Sequence, residues 1–472
     1  MVEVFTYTYN EIFKQYKNIS VPEYQRPYRW SNEKVDELLM DLEEFFITKP
    51  NTNLEYYMGG ILFFHDNKAR KFQIIDGQQR LTTLTLIQYL IEGVLQVNQN
   101  LAYNNHISFY NIKKNLTYLE EKRPLLDKLN QLNIFARLRF TIVISDSEDN
   151  AFAFFDSQNN RGVTLGADDF LKAYHLREVK SENLQEHLAQ DWEKTVYNSQ
   201  KEKKFESGLQ HLFFKILYRA RVWRGQSQSQ LIPEDKDVLL KTFQKQTLKS
   251  PDGDVYMLFP GRVNQLHKWL FPKDDNTSEF LDERIENQSS LDLPFTIRQP
   301  IFKGHNFFKF SQKYHDIHQH LFSEKSTTEV SVIKAREYYC AIYTDKMSVY
   351  LRHYMQLCMV MYYDSFGEVE IDKAVKYFDY LIGSIRIEKF YVKKEAVKNS
   401  LIENNNNLLD VIANAYLPQE IFEFITVQSN VKSIYENKDL KDDNGVRNAY
   451  KNRVLFYFNK STTTLKERLQ WI

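Results

Sequence analysis

The stretch Ile75-Asp76-Gly77-Gln78-Gln79-Arg80 constrains this chain more tightly than any other. Upstream, Tyr57–Phe64 and Arg70–Ile75 read as two strands parted by the polar turn His65-Asp66-Asn67-Lys68, which is a hairpin signal. Downstream, Leu81, Leu84, Leu86, Ile87 and Leu90 fall near helical spacing and predict a helix opening near Arg80. A strand that turns at Asp-Gly into a helix leaves backbone N–H groups and the positive end of the helix dipole over the turn, an arrangement that attracts anions. Gly77 permits close backbone approach, and Gln78 and Gln79 supply amide donors and acceptors. Arg80 is a forked cation suited to phosphate, and Asp76 is a carboxylate for a metal or a proton. Turn chemistry also accounts for Asp-Gly by itself, so a plain turn with a surface arginine stays open at this point.

The support such a turn needs is available. The chain has 472 residues, enough for two or three domains with ample core. Its aromatic content of 15% with few Gly and Pro favours a packed, largely helical body. Lys+Arg and Asp+Glu are both 62, so any nucleic-acid surface must be local. Cys340 and Cys358 read as core residues of one helical stretch rather than a disulfide or metal pair, pointing to a reducing compartment. The N-terminus lacks a basic region followed by an apolar run, and no apolar run approaches a membrane span. A cytoplasmic protein with no membrane partner is the expectation.

Before the hairpin, residues 1–30 begin with a strand or short helix and reach Val21-Pro22-Glu23-Tyr24-Gln25-Arg26-Pro27-Tyr28-Arg29-Trp30. The two prolines force extended backbone there. Aromatic faces, a glutamine and arginines in one irregular segment suit base stacking and phosphate pairing, and equally suit a packed aromatic loop. Ser31 is placed to cap a core-facing helix striped by Val35, Leu38, Leu39, Leu42 and Phe45. Beyond the hairpin, Val97–Asn115 reads as an Asn-rich loop, Leu116–Leu132 as helix broken by Pro124, and Arg139–Ile144 as a strand. A helix through Ala151–Phe155 leads to the polar loop Gln158–Gly166, which carries Asn160 and Arg161. A further helix is predicted near Ala167, with Asp168 and Asp169 favoured by its dipole.

Taken together, three segments resemble the ParB/sulfiredoxin-like N-terminal domain of the GmrS and SspE proteins, nucleotide-dependent restriction factors used against phage. They are Val21–Trp30, Ile75–Thr82, and Phe155–Leu165 continuing to Asp169 and Lys172. The likeness covers residues 1 to about 180. It implies a small mixed α/β domain over 1–180, and with the mostly helical spacing over 181–472 and a sub-boundary near 225–310 marked by prolines the expected fold is α+β. It further implies a nucleoside triphosphate held by Asp76–Arg80 and Tyr24–Arg26. In that reading Asp76 serves hydrolysis and binds Mg²⁺ or Mn²⁺, Arg80 and Arg26 hold phosphate, Gln25, Gln78 and Gln79 orient phosphate, water or metal, and Asn160 and Arg161 close the far side. Full-length relatives often carry a C-terminal HNH nuclease, which needs a histidine base. The last histidine here is His353, so a separately encoded nuclease partner is expected. A nickase activity in the N-terminal domain itself and a non-catalytic sensor gated by nucleotide are the alternative readings.

In the second half, Phe205–Val222, Val332–Tyr363, Ile371–Ile385 and Leu408–Ile425 show helical spacing, and prolines break up 225–310. Lys201–Arg224 could present a basic face to DNA or simply to water. The spacing of His315, His318 and His320 does not place all three on one helix face, which argues against a metal site.

Overall fold

Strand Leu138–Ser145 alternates apolar and polar residues and becomes the second strand of a mixed five-stranded sheet. The computed structural model describes residues 2–48, 54–95, 101–148, 150–151, 166–201, 208–226, 235–249, 291, 293, 295–323, 327–343, 347–403, 406–437 and 445–472. The chain divides into two compact units, Met1–Glu193 and Lys194–Ile472.

The first unit holds β1 (Val2–Thr8), α1 (Tyr9–Gln15), β2 (Ile19–Ser20), α2 (Asn32–Glu43), β3 (Tyr56–Asp66), β4 (Lys71–Asp76), α3 (Gln78–Glu92), α4 (His106–Glu121), α5 (Arg123–Gln131) and β5 (Leu138–Ser145). They are followed by α6 (Ala167–Leu176) and α7 (Glu182–Lys201), within which the two units divide. The strand order is β1-β5-β3-β4-β2. The predicted hairpin is present: β3 and β4 pair antiparallel, with Phe63 opposite Ile74. The Asp66 carboxylate accepts the Lys68 and Ala69 N–H groups at 2.9 and 3.1 Å, which sets the turn. Strand β3 also pairs parallel with β5, so the hairpin lies inside the sheet. Tyr9 and Phe13 of α1, Leu38 and Leu42 of α2, and Leu84 and Ile87 of α3 pack with Ile61, Phe63, Phe140 and Ile142 as one core.

Two local expectations change. The Asn-rich stretch is helical from His106 onward, because Asn105 caps α4 by accepting the Ser108 N–H at 2.7 Å. Ser31 stands at the N-cap position of α2 but makes no side-chain cap bond to its backbone. Residues 152–165, with Asn160 and Arg161, lie outside the described residues.

The second unit is helical. A run made of Leu209–His211, the π-helical Leu212–Leu217 and Tyr218–Val222 precedes α8 (His305–Phe322), α9 (Val330–Tyr343), α10 (Val349–Phe366) and α11 (Ile371–Glu388). Then come α12 (Lys394–Glu403), α13 (Leu408–Asn414), α14 (Pro418–Thr426), α15 (Ser429–Asn437) and α16 (Val446–Tyr457). Helix α11 is the axis, packed by α9, α10, α14, α15 and α16. The predicted continuous helix over 332–363 is two helices, which puts Cys340 on α9 and Cys358 on α10 rather than on one stretch. The helix expected over 408–425 breaks because Pro418 cannot supply an interior N–H and instead opens α14. Two of the cations that could have formed a basic face over 201–224 are turned inward. Arg219 is buried over the Trp223 ring, and Arg221 is held by the Ile297 and Gln299 carbonyls at 2.7 Å each. Burial lowers the Arg221 pKa to about 10.

Candidate functional site

Strand β4 ends on Asp76, and Gly77 then adopts φ 93°, a left-handed conformation that L side chains rarely take. A Cβ at Gly77 would also sit 2.8 Å from the Ile61 side chain, so conformation and space both require glycine. Helix α3 opens at Gln78 with no side chain capping it, leaving its first N–H groups without that partner.

Gln78 and Gln79 turn inward and are buried. The Gln78 amide donates to the Arg26 carbonyl at 3.0 Å and to the Tyr103 hydroxyl at 3.3 Å. The Gln79 amide donates to the Pro27 carbonyl at 3.0 Å and accepts the Arg29 N–H at 2.8 Å. These two side chains therefore fasten the Val21–Trp30 segment to the start of α3. The segment is fastened from two further directions. Gln25 donates to the Ile75 carbonyl at 2.8 Å, and the Tyr24 hydroxyl donates to Gln73 at 3.0 Å. From α4, Asn111 donates to the Tyr28 carbonyl and Asn115 to the Trp30 carbonyl, both at 2.8 Å. An irregular segment with two prolines has few backbone bonds of its own, so side-chain amides from α3 and α4 supply them.

The held segment places Arg26 beside the Asp76 turn. Among the described residues the Arg26 guanidinium makes no hydrogen bond or ion pair. Burial lowers its pKa, opposed by the carboxylate of Asp169 and, more weakly, that of Asp76, while Arg29 pushes the same way as burial. Arg80 differs. Its two terminal nitrogens donate to the Met58 and Gly60 carbonyls at 2.5 and 2.7 Å, and its guanidinium lies 3.8 Å from Asp76. Gly59, at φ 95°, leaves the space that the Arg80 guanidinium fills. Asp76 remains about half exposed, at 48%.

Helices α6 and α7 close another side. The buried Glu193 carboxylate pairs with Lys172 at 3.0 Å and with Arg29 at 2.9 Å, while Lys172 also donates to the Gln25 carbonyl at 3.4 Å. Asp169 accepts the Gly166 N–H at 3.1 Å, as an early helical carboxylate should. Burial, then Asp168, raises its pKa, against the pull of Arg29 and Arg26.

The structure thus brings Tyr24, Gln25, Arg26, Asp76, Gly77, Gln78, Gln79 and Arg80 together, and adds Arg29, Asp169, Lys172 and Glu193. The sequence placed Asp169 and Lys172 in the third resembling segment, with no site role beyond a dipole one for Asp169, and had no local signal for Glu193, whose partners are 21 and 164 residues away. Chemically, the site offers a forked cation with no hydrogen bond or ion pair among the described residues, one half-exposed carboxylate and an uncapped helix start. That combination can hold a polyanion. Among the described residues no group of three or more His, Cys, Asp or Glu is placed to hold a metal by itself. No helix of the described residues is long and apolar enough to cross a membrane.

Comparison with known families gives two matches. Residues 9–176 match the GmrSD restriction endonuclease, N-terminal domain, and residues 184–444 match a family of unknown function, DUF7834. No curated protein matches the chain.

Proposed function

Since the chain belongs to the DUF7834 family and carries a GmrSD-type restriction endonuclease N-terminal domain, we propose that it is the nucleotide-hydrolysing component of an anti-phage restriction system. The observation that carries this reading is the Arg26 guanidinium, without a hydrogen bond or ion pair among the described residues, beside the half-exposed Asp76 and the uncapped start of α3. Arg26 would take a phosphate in its fork, and the N–H groups at the start of α3 would meet a second oxygen. Gln78, Gln79 and Gln25 contribute by holding the Arg26 segment in place, and Arg80 by fixing β3 beside the turn. Tyr24 and the glycine turn complete that frame. Asp76 is the carboxylate with room to face water or a cation.

Mg²⁺ fits this set as an ion shared with substrate, since it commonly takes one or two carboxylates plus phosphate oxygens. Asp76 would hold it. Bound there, the ion would neutralise charge on the phosphoryl oxygens. Residues 354–472 contain no histidine to serve as the base of an HNH centre, so DNA cutting by such a centre would not come from them. The test is phosphate release from triphosphates by wild type and Asp76→Ala. The variant is expected to lose about a hundredfold or more in rate. Equal release from both would remove Asp76 from the chemistry.

A further inference from the structure

The sheet of the first unit has two edges of unlike length. Strand β2 forms one with two residues, Ile19 and Ser20, too short to template another strand. Strand β1 forms the other with seven, and its register with β5 runs unbroken from Val2 opposite Ser145 to Thr8 opposite Arg139. The strand has none of the features that blunt an edge: no proline, no lysine, no bulge, and a single charge, Glu3. Among the described residues the backbone of Val2–Tyr7 bonds to β5 alone. Alternate N–H and C=O groups therefore point outward along the edge.

The side chains are as uncovered as the backbone. Residues directly opposite across β1 and β5 share a face of the sheet. Phe5 thus stands on the face of the core residue Ile142, and Tyr7 on that of Phe140, yet Phe5 is 38% exposed. Val2 and Val4 stand on the other face with Ser145 and Val143, and Val4 is 62% exposed although Val143 is buried. On both faces the apolar surface continues past the last covered strand.

Another β1, running antiparallel, fits this edge. Outward backbone groups fall on every second residue, so only registers that set odd positions against odd and even against even can bond. Of these, the one that pairs all of Val2–Thr8 sets Phe5 opposite Phe5 on a two-fold axis. It sets Val4 opposite Thr6, Val2 opposite Thr8 and Glu3 opposite Tyr7. The result is an aromatic pair at the centre, β-branched pairs beside it and no carboxylate facing another. We propose that two copies of this chain associate through β1, edge to edge, so that their sheets become one. An edge of this length covers less than the roughly 1,600 Å² of a standard interface, so the association is reversible and depends on concentration.

The experiment is sedimentation equilibrium of the full chain over a range of concentrations, for wild type, Phe5→Lys, Phe5→Glu and an equimolar mixture of the two variants. Wild type is expected to dimerise. Each variant alone sets like charges on the axis and should raise the dissociation constant by about tenfold or more. The mixture sets lysine opposite glutamate and should recover association to within about threefold of wild type. A second reading needs no substitution: amide hydrogen exchange over Val2–Thr8 should slow in concentrated wild type relative to dilute. A wild type that stays monomeric, dimerisation indifferent to both substitutions, no recovery in the mixture, or exchange over β1 that ignores concentration would overturn the proposal.

Discussion

The Gln79 amide has its oxygen on the Arg29 N–H and its nitrogen on the Pro27 carbonyl, and the residue is 8% exposed. Truncation would leave two backbone groups of the proline segment without partners away from water. Gln79→Ala is therefore expected to destabilise the first unit by about 1–3 kcal/mol, measured by urea unfolding followed through tryptophan fluorescence. An unchanged midpoint would mean that the segment is held by its other contacts. Arg26→Ala should behave oppositely, leaving the unfolding midpoint nearly in place because, among the described residues, its guanidinium makes no hydrogen bond or ion pair to lose. The sequence pattern marked both residues as chemically notable, since each lies in a dense motif. It could not separate the one that holds the frame from the one that faces a ligand, because that depends on contacts across 50 residues or more.

Among the elements, the hairpin, the helix after Gly77 and the strand over 138–145 were legible because each has a strong local signal: alternation, an Asp-Gly turn, or β-branched content. The Asn-rich stretch misled for a physical reason. Asparagine disfavours helix interiors in isolation, yet Asn111 and Asn115 on α4 are stabilised there by bonds to the Tyr28 and Trp30 carbonyls. Helix α11 carries a feature no local pattern reveals. Its Asp379 is fully buried, pairs with Arg468, and accepts from Tyr338 and Tyr343 at 2.6 Å each and from Tyr450 at 3.1 Å. Arg468 also donates to Tyr435 at 2.6 Å, so the last described turn is fastened to the bundle axis. Removing one partner strands the other charge in a dry interior. Asp379→Ala should cost about 3–5 kcal/mol, read as the lowered midpoint of the helical unit in chemical denaturation. A loss under about 1 kcal/mol would show that the pair is solvated in solution.

For the molecule as a whole, the division near Glu193 separates a mixed sheet bearing the candidate site from a helical bundle matching DUF7834. Local charge in Lys201–Arg224 had left a face toward DNA or toward water both open, and Arg219 and Arg221 are engaged internally. What the first unit contributes is a cradle in which two amide side chains and a buried ion pair position Arg26, whose guanidinium has no hydrogen bond or ion pair among the described residues. The most direct test is calorimetric titration of magnesium triphosphate into wild type and Arg26→Ala, with both proteins shown to unfold at the same denaturant concentration. The account predicts saturable binding to wild type and an affinity about ten- to a hundredfold lower in the variant. Equal affinity in the two proteins, or no binding to either, would contradict it.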